Sequence, residues 1–101
     1  MTCSEEKIAG GKLVRVSVEH AGSKAKVTIT GDFFIHPEDS LFLIEGLLSG
    51  LDRDVAPEIV ESTLSRAVID NGIDMIGIDE KTIARLYKVA LSLESNPAQH
   101  I

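Results

Sequence analysis

From Lys12 to His20 the chain alternates with a period of two, placing Val14, Val16 and Val18 on one face and Leu13, Arg15, Ser17 and Glu19 on the other. The alternation resumes from Lys24 to Thr30, with Ala25, Val27 and Ile29 on the apolar face, after a small-residue tip at Ala21-Gly22-Ser23. Two such runs joined by a short tip predict an antiparallel hairpin. The second strand runs directly into Gly31-Asp32, a pair that favours an abrupt bend, and then into Phe33-Phe34-Ile35. His36-Pro37-Glu38-Asp39 reads as a helix start, with proline at the first helical position and acids near the positive end of the dipole.

Beyond this point the period becomes helical. A first helix is predicted over Pro37 to Ser49, with Leu41, Ile44 and Leu48 on one face, joined by Phe42, Leu43, Leu47 and Leu51. It is apolar over more than half its circumference, so burial on two sides is expected, and Gly50 suits its C-cap. Leu51-Asp52-Arg53-Asp54 makes a charged turn. A second helix is predicted over Val55 to Asp70, with Pro57 in its first turn and Ile59, Val60, Leu64, Ala67 and Val68 inward; Asn71-Gly72 stops it. Ile73 to Ile78 stays open between a short strand and an apolar loop. Asp79 is a good N-cap for a third helix, in which Ile83, Leu86, Tyr87, Ala90 and Leu91 recur at i, i+3, i+4, i+7 and i+8.

The expected fold is therefore α+β: an antiparallel β-hairpin, with a third short strand left open, packed with three α-helices. Residues 1–8 read as a flexible leader and Gly10-Gly11 as a flexible joint. Residues 9–93 form one domain, and 94–101, with Pro97 and no pattern, form a loose tail.

Charge narrows the choice of partners. The 101 residues carry a net charge of −6, with no run of Lys or Arg. Affinity for a phosphate backbone needs clustered cations, so nucleic acid is excluded as the expected partner. No apolar run reaches the ~18–20 residues that span a bilayer, and the polar, acidic start is unlike a secretory signal. Cys3 is the only cysteine, so no internal disulfide forms. A cytoplasmic location is expected.

Candidate chemistry is sparse. His20, His36 and His100 share no metal-ligand spacing with one another or with Cys3, so an incidental role is expected for each and no metal site is assigned. Glu38, Asp39, Asp52, Asp54, Glu58, Asp79 and Glu80 sit mostly at helix starts, where capping and the helix dipole account for them. Gly10-Gly11-Lys12 lacks the rest of a phosphate-binding loop and reads as a hinge. Gly31-Asp32-Phe33-Phe34 is different. Asp32 could cap the bend while both rings fill the core, yet adjacent residues in extended chain point to opposite sides. One Phe can reach the domain's own core; the other needs a second surface, from a helix behind it or from another protein. A lone hairpin also leaves both its edges unpaired.

Gly10-Gly11-Lys12-Leu13-Val14, the hairpin, Ile29-Thr30-Gly31-Asp32-Phe33-Phe34-Ile35-His36-Pro37-Glu38 and Leu43-Ile44-Glu45-Gly46-Leu47-Leu48-Ser49-Gly50 together resemble the C-terminal accessory domain of lipoate–protein ligases. The segment from Ile73 to Leu91 is similar to that family's last strand or loop and helix, so the resemblance spans about residues 8–92. It implies the separate-subunit, archaeal-type form, which binds a catalytic subunit holding ATP, magnesium and lipoate. That subunit makes lipoyl-adenylate and transfers the lipoyl group to a lysine of an acceptor protein, a lipoyl domain or the glycine-cleavage H protein. The family's nucleotide-binding and catalytic motifs belong to the large domain and none is carried over. The chain is then a non-catalytic part of a heterodimer, with no catalytic residue and no cofactor bound by itself. The implied partner interface is Phe33, Phe34, Asp32 and Gly31, together with Gly10, Gly11 and Lys12. Two other readings stand beside it: a scaffold domain without a role in lipoylation, and a small enzyme using Asp32 with His36.

Overall fold

The computed structural model describes residues 2–8, 12–21, 24–51 and 54–94. Strands β1 (Thr2–Ile8), β2 (Lys12–Ala21), β3 (Lys24–Gly31) and β4 (Phe34–His36) precede helices α1 (Ser40–Ser49) and α2 (Pro57–Asn71); β5 (Asp74–Ile76) and α3 (Glu80–Glu94) complete the chain. One antiparallel sheet runs β1-β2-β3 and a second, smaller one pairs β4 with β5. The mixed α+β class and the hairpin are as expected, with Val16 opposite Ile29 and Val18 opposite Val27.

Within residues 1–8, expected to be flexible, Thr2–Ile8 forms a strand. Thr2–Ile8 pairs along its whole length with β2, from Thr2 opposite Val18 to Ile8 opposite Lys12. The register puts Thr2, Ser4 and Glu6 on the same face as the buried valines of β2. These are polar, so no apolar alternation announces the strand. Two of them, Thr2 and Glu6, bind α3 through polar contacts instead. The Thr2 hydroxyl donates to the Ala90 carbonyl at 2.8 Å, and Arg85 donates to both carboxylate oxygens of Glu6 at 3.1 and 2.6 Å.

The valines of β2, with Val27 and Ile29 of β3, lie against α3 and α1, while α2 packs on α3 and α1. Ile44, Leu48, Val60, Leu64, Ile83, Leu86, Tyr87 and Leu91 fill the interior from the helices. Buried Tyr87 finds a partner for its hydroxyl in the Leu48 carbonyl at 3.0 Å, joining α3 to the last turn of α1. Among the described residues no helix is long and apolar enough to cross a membrane.

Several boundaries and faces differ from expectation. α1 starts at Ser40, so Pro37 lies before the helix and not in its first turn. Pro57 does hold the first turn of α2, and Gly72 ends that helix in the left-handed conformation. Ile73 to Ile78 contains the short strand β5, and its partner is β4 instead of the hairpin. Ile59 faces out, because α2 is covered on one side only and Val60, Leu64 and Ala67 take that side. α1 is likewise buried on one side: Ile44 and Leu48 are inward, whereas Phe42 is 71 % exposed. Glu94 closes α3; residues 95–101 of the expected tail lie outside the described residues.

Candidate functional site

The bend at Gly31-Asp32 positions the rest of the site. Gly31 still pairs with Val14, but with φ +147° it turns the chain out of the hairpin. A Cβ there would sit 2.1 Å from the Leu13 carbonyl oxygen, so only glycine permits the approach. Asp32 closes the bend through its main chain: its N–H donates to that same carbonyl at 2.7 Å. Lys12, exposed and next to Leu13, begins β2 at this same end of the sheet, so Lys12, Gly31 and Asp32 come together. Gly10 and Gly11 lie outside the described residues.

After the bend the two aromatic rings separate. Phe33 is half-buried and packs against the core, while Phe34 is 70 % exposed. The reason is the pleat of β4, which sends Ile35 inward and its neighbours Phe34 and His36 outward. Phe34 faces Ile76 across the β4–β5 pair, and His36 faces Asp74. Directly opposed residues share a sheet face. Ile76 is 63 % exposed, so the outer face of the small sheet is an apolar pair, Phe34 and Ile76, beside a polar pair, His36 and Asp74. The pattern Ile73 to Ile78 hid this, because four apolar residues at short spacing, Ile73, Met75, Ile76 and Ile78, do not say which of them points outward.

The edges of the main sheet are treated differently from each other. β3 lies at one edge, and α1 covers it with polar side chains. The Ile29 N–H donates to Glu45 Oε2 at 2.8 Å and the Val27 N–H donates to Ser49 Oγ at 3.1 Å. The Ser49 hydroxyl in turn donates to the Glu45 carbonyl at 2.8 Å. The hairpin therefore does not keep two open edges: β1 takes one and α1 seals the other. Neither Glu45 nor Ser49 stood out among the apolar residues of the helix.

Electrostatics around the site is simple. Arg15 donates to Glu5 Oε2 at 3.0 Å across the β1–β2 pair, and that hydrogen bond holds its guanidinium above the ordinary arginine range. Hydrogen bonding to Glu6 does the same for Arg85. Among the described residues no group of three or more His, Cys, Asp or Glu is placed to share a metal ion. An open depression on α2, about 600 Å³, is lined by Ile59, Ser62, Thr63, Arg66 and Ile69 and lies on a surface face of the helix. Asp32 and His36, the pair considered for catalysis, are both exposed, one at the bend and the other at the end of β4. What the arrangement offers is an apolar surface beside a rigid bend, suited to holding another protein.

Comparison with known proteins relates the chain to a family. No family model matches the chain. The chain is similar to lipoate-protein ligase A subunit 2 of Thermoplasma acidophilum, 33 % identical over 63 residues, covering 61 % of this chain and 67 % of that protein. Its fold is similar to a chain in the solved structure of an archaeal lipoylation system, a bi-partite lipoate protein ligase and its E2 lipoyl domain, from Thermoplasma acidophilum. There the TM-score is 0.62 at 26 % identity, covering 86 % of this chain and 94 % of that one. The chain therefore belongs to the family of the second subunits of lipoate–protein ligase.

Proposed function

We propose that this chain is the accessory subunit of a two-subunit lipoate–protein ligase. It binds a separate catalytic subunit and enables ATP-dependent adenylation of lipoate, which precedes lipoyl transfer to acceptor-protein lysines. The observation that supports this best is the correspondence, across most of both chains, with a chain of a bi-partite ligase system. ATP, magnesium and lipoate are held by the catalytic subunit, whose chemistry forms the activated acyl-adenylate. The contribution of this chain is physical. An acyl-adenylate must be kept from water, and a docked domain excludes solvent and orders loops around the bound reactants. Orientation alone lowers a barrier without adding an acid or a base.

The docking surface in this reading is Phe34 with Phe33 behind it, the Gly31-Asp32 bend, and Lys12 with Gly10 and Gly11. The complex is a cytoplasmic heterodimer, and its acceptors are lipoyl domains. The test is to mix purified catalytic subunit with this chain and to measure lipoate-dependent pyrophosphate release. Release that rises on addition of the chain and saturates at one equivalent is expected. Equal release with and without it would overturn the proposal.

A further inference from the structure

From the outer face of α1 we infer a second contact with the catalytic subunit: a helix of that subunit, apolar along its centre and carrying Lys or Arg at its margins, lies across α1 at Gly46. This rests on the two-subunit reading above and names a surface that reading does not require. Between Ser40 and Ser49 the only charged side chain is Glu45, and its carboxylate is turned inward to the Ile29 N–H. Ser49 is likewise engaged with β3. What remains outward is Phe42, Leu43, Gly46 and Leu47, with Gly50 at the C-cap. A helix facing solvent ordinarily shows a polar face, and a contiguous apolar one marks a surface that another molecule covers.

Gly46 says how close that molecule comes. Glycine inside a helix is disfavoured relative to alanine. Nothing in this chain asks for it, since a Cβ at Gly46 would meet no atom within 4 Å and its φ is not positive. A backbone arriving from outside does ask for it. Phe42, Gly46 and Gly50 follow one i+4 row, so glycine opens a notch in the ridge that Phe42 begins, and ridges of a crossing helix settle into such notches. The face offers no hydrogen-bonding side chain. A strand laid on it would leave main-chain groups unpaired, whereas a helix satisfies its own.

Charge selects against a second copy of this chain. No Lys or Arg occurs from Val27 to Asp52; Asp32, Glu38 and Asp39 lie exposed before the helix, and the sequence Asp52-Arg53-Asp54 beyond it has two acids to one cation. Two copies would bring acidic margins together, each on a molecule of net charge −6. A partner with cationic margins complements them. α1 also packs against β4, the element bearing Phe34.

The test is calorimetric titration of the catalytic subunit with the full chain and with Gly46→Leu, Gly46→Ala and a double charge reversal, Glu38→Lys with Asp39→Lys. Gly46→Leu is expected to melt no lower than the unsubstituted chain, because its side chain enters open space, and to bind at least tenfold more weakly. Gly46→Ala is expected to melt higher and to bind a few-fold more weakly. The charge reversal is expected to weaken binding and flatten its dependence on salt. Undiminished affinity of Gly46→Leu overturns this surface and leaves the two-subunit reading standing. Failure of the unsubstituted chain to bind at all overturns both. A chain that sediments alone as a dimer, and as a monomer with Gly46→Leu, assigns the face to self-association and overturns it as well.

Discussion

Gly31 and the two rings after it show how much one residue decides here. With φ +147° and the Leu13 carbonyl oxygen 2.1 Å from where a Cβ would be, Gly31→Ala carries both backbone strain and a clash against main chain. Strain of that kind costs about 1–3 kcal/mol before the clash is counted. Urea denaturation is expected to show the lowered midpoint, and an unchanged midpoint would contradict the geometry. The rings behave as opposites. Phe33→Ala removes a half-buried ring packed on the core and is expected to destabilise the chain by about 1–3 kcal/mol, less than the roughly 3–5 kcal/mol of a fully buried Phe. Phe34→Ala is expected to leave stability within about 0.5 kcal/mol. If Phe34 docks, its loss weakens the complex by about 1 kcal/mol or more, read as the dissociation constant for the catalytic subunit.

Among the elements, α3 has the most legible start. The Thr82 N–H donates to Asp79 Oδ1 at 2.7 Å, the N-cap that the sequence predicts. Burial pushes the Asp79 carboxyl up, but the Thr82 N–H and hydroxyl, aided by Arg85 and Lys81, outweigh it, and the net shift is downward. A carboxyl whose folded value is depressed stabilises the fold fully above its unfolded value of 3.8 and loses that contribution as pH falls through the folded value. Asp79→Ala is therefore expected to cost about 0.5–2 kcal/mol at neutral pH. The gap in melting temperature between it and the unsubstituted chain is expected to close as pH drops below 3.8. A gap constant down to strong acid would show that the carboxylate is not the cap. At α1 the logic is reversed. Its hydrophobic pattern suggests burial on two sides, but its inward polar residues, Glu45 and Ser49, are those that guard the edge of β3.

On the scale of the whole molecule, surface exposed by one subunit is a term in the stability of the complex. Phe34, Ile76 and Phe42 are each more than 60 % exposed in the isolated chain. A partner that binds the folded chain and not the unfolded one stabilises it by mass action, about 2.7 kcal/mol at a hundredfold excess over the dissociation constant. The melting temperature of this chain is expected to rise with added catalytic subunit and to keep rising with its concentration. A melting temperature indifferent to the partner would mean that the two do not associate in the folded state.

The periodic elements were legible from residues alone. The hairpin, the interior of α3 and the core sides of α1 and α2 follow from local alternation or helical period, which every side chain obeys wherever it packs. The resemblance to lipoate–protein ligases rested on the Gly31-Asp32-Phe33-Phe34 run and its surroundings, the same residues that the tertiary structure places at the bend. Three matters only the folded chain decided. β1 was invisible because its inward residues, Thr2, Ser4 and Glu6, are polar, and two of them, Thr2 and Glu6, meet polar partners on α3, far away in sequence. β5 acquired its identity from β4, a strand nearly forty positions earlier. Which faces of α1 and α2 stay bare depended on how many neighbours this short chain could supply, and a local pattern records a side chain's preference for burial without recording whether anything arrives to bury it.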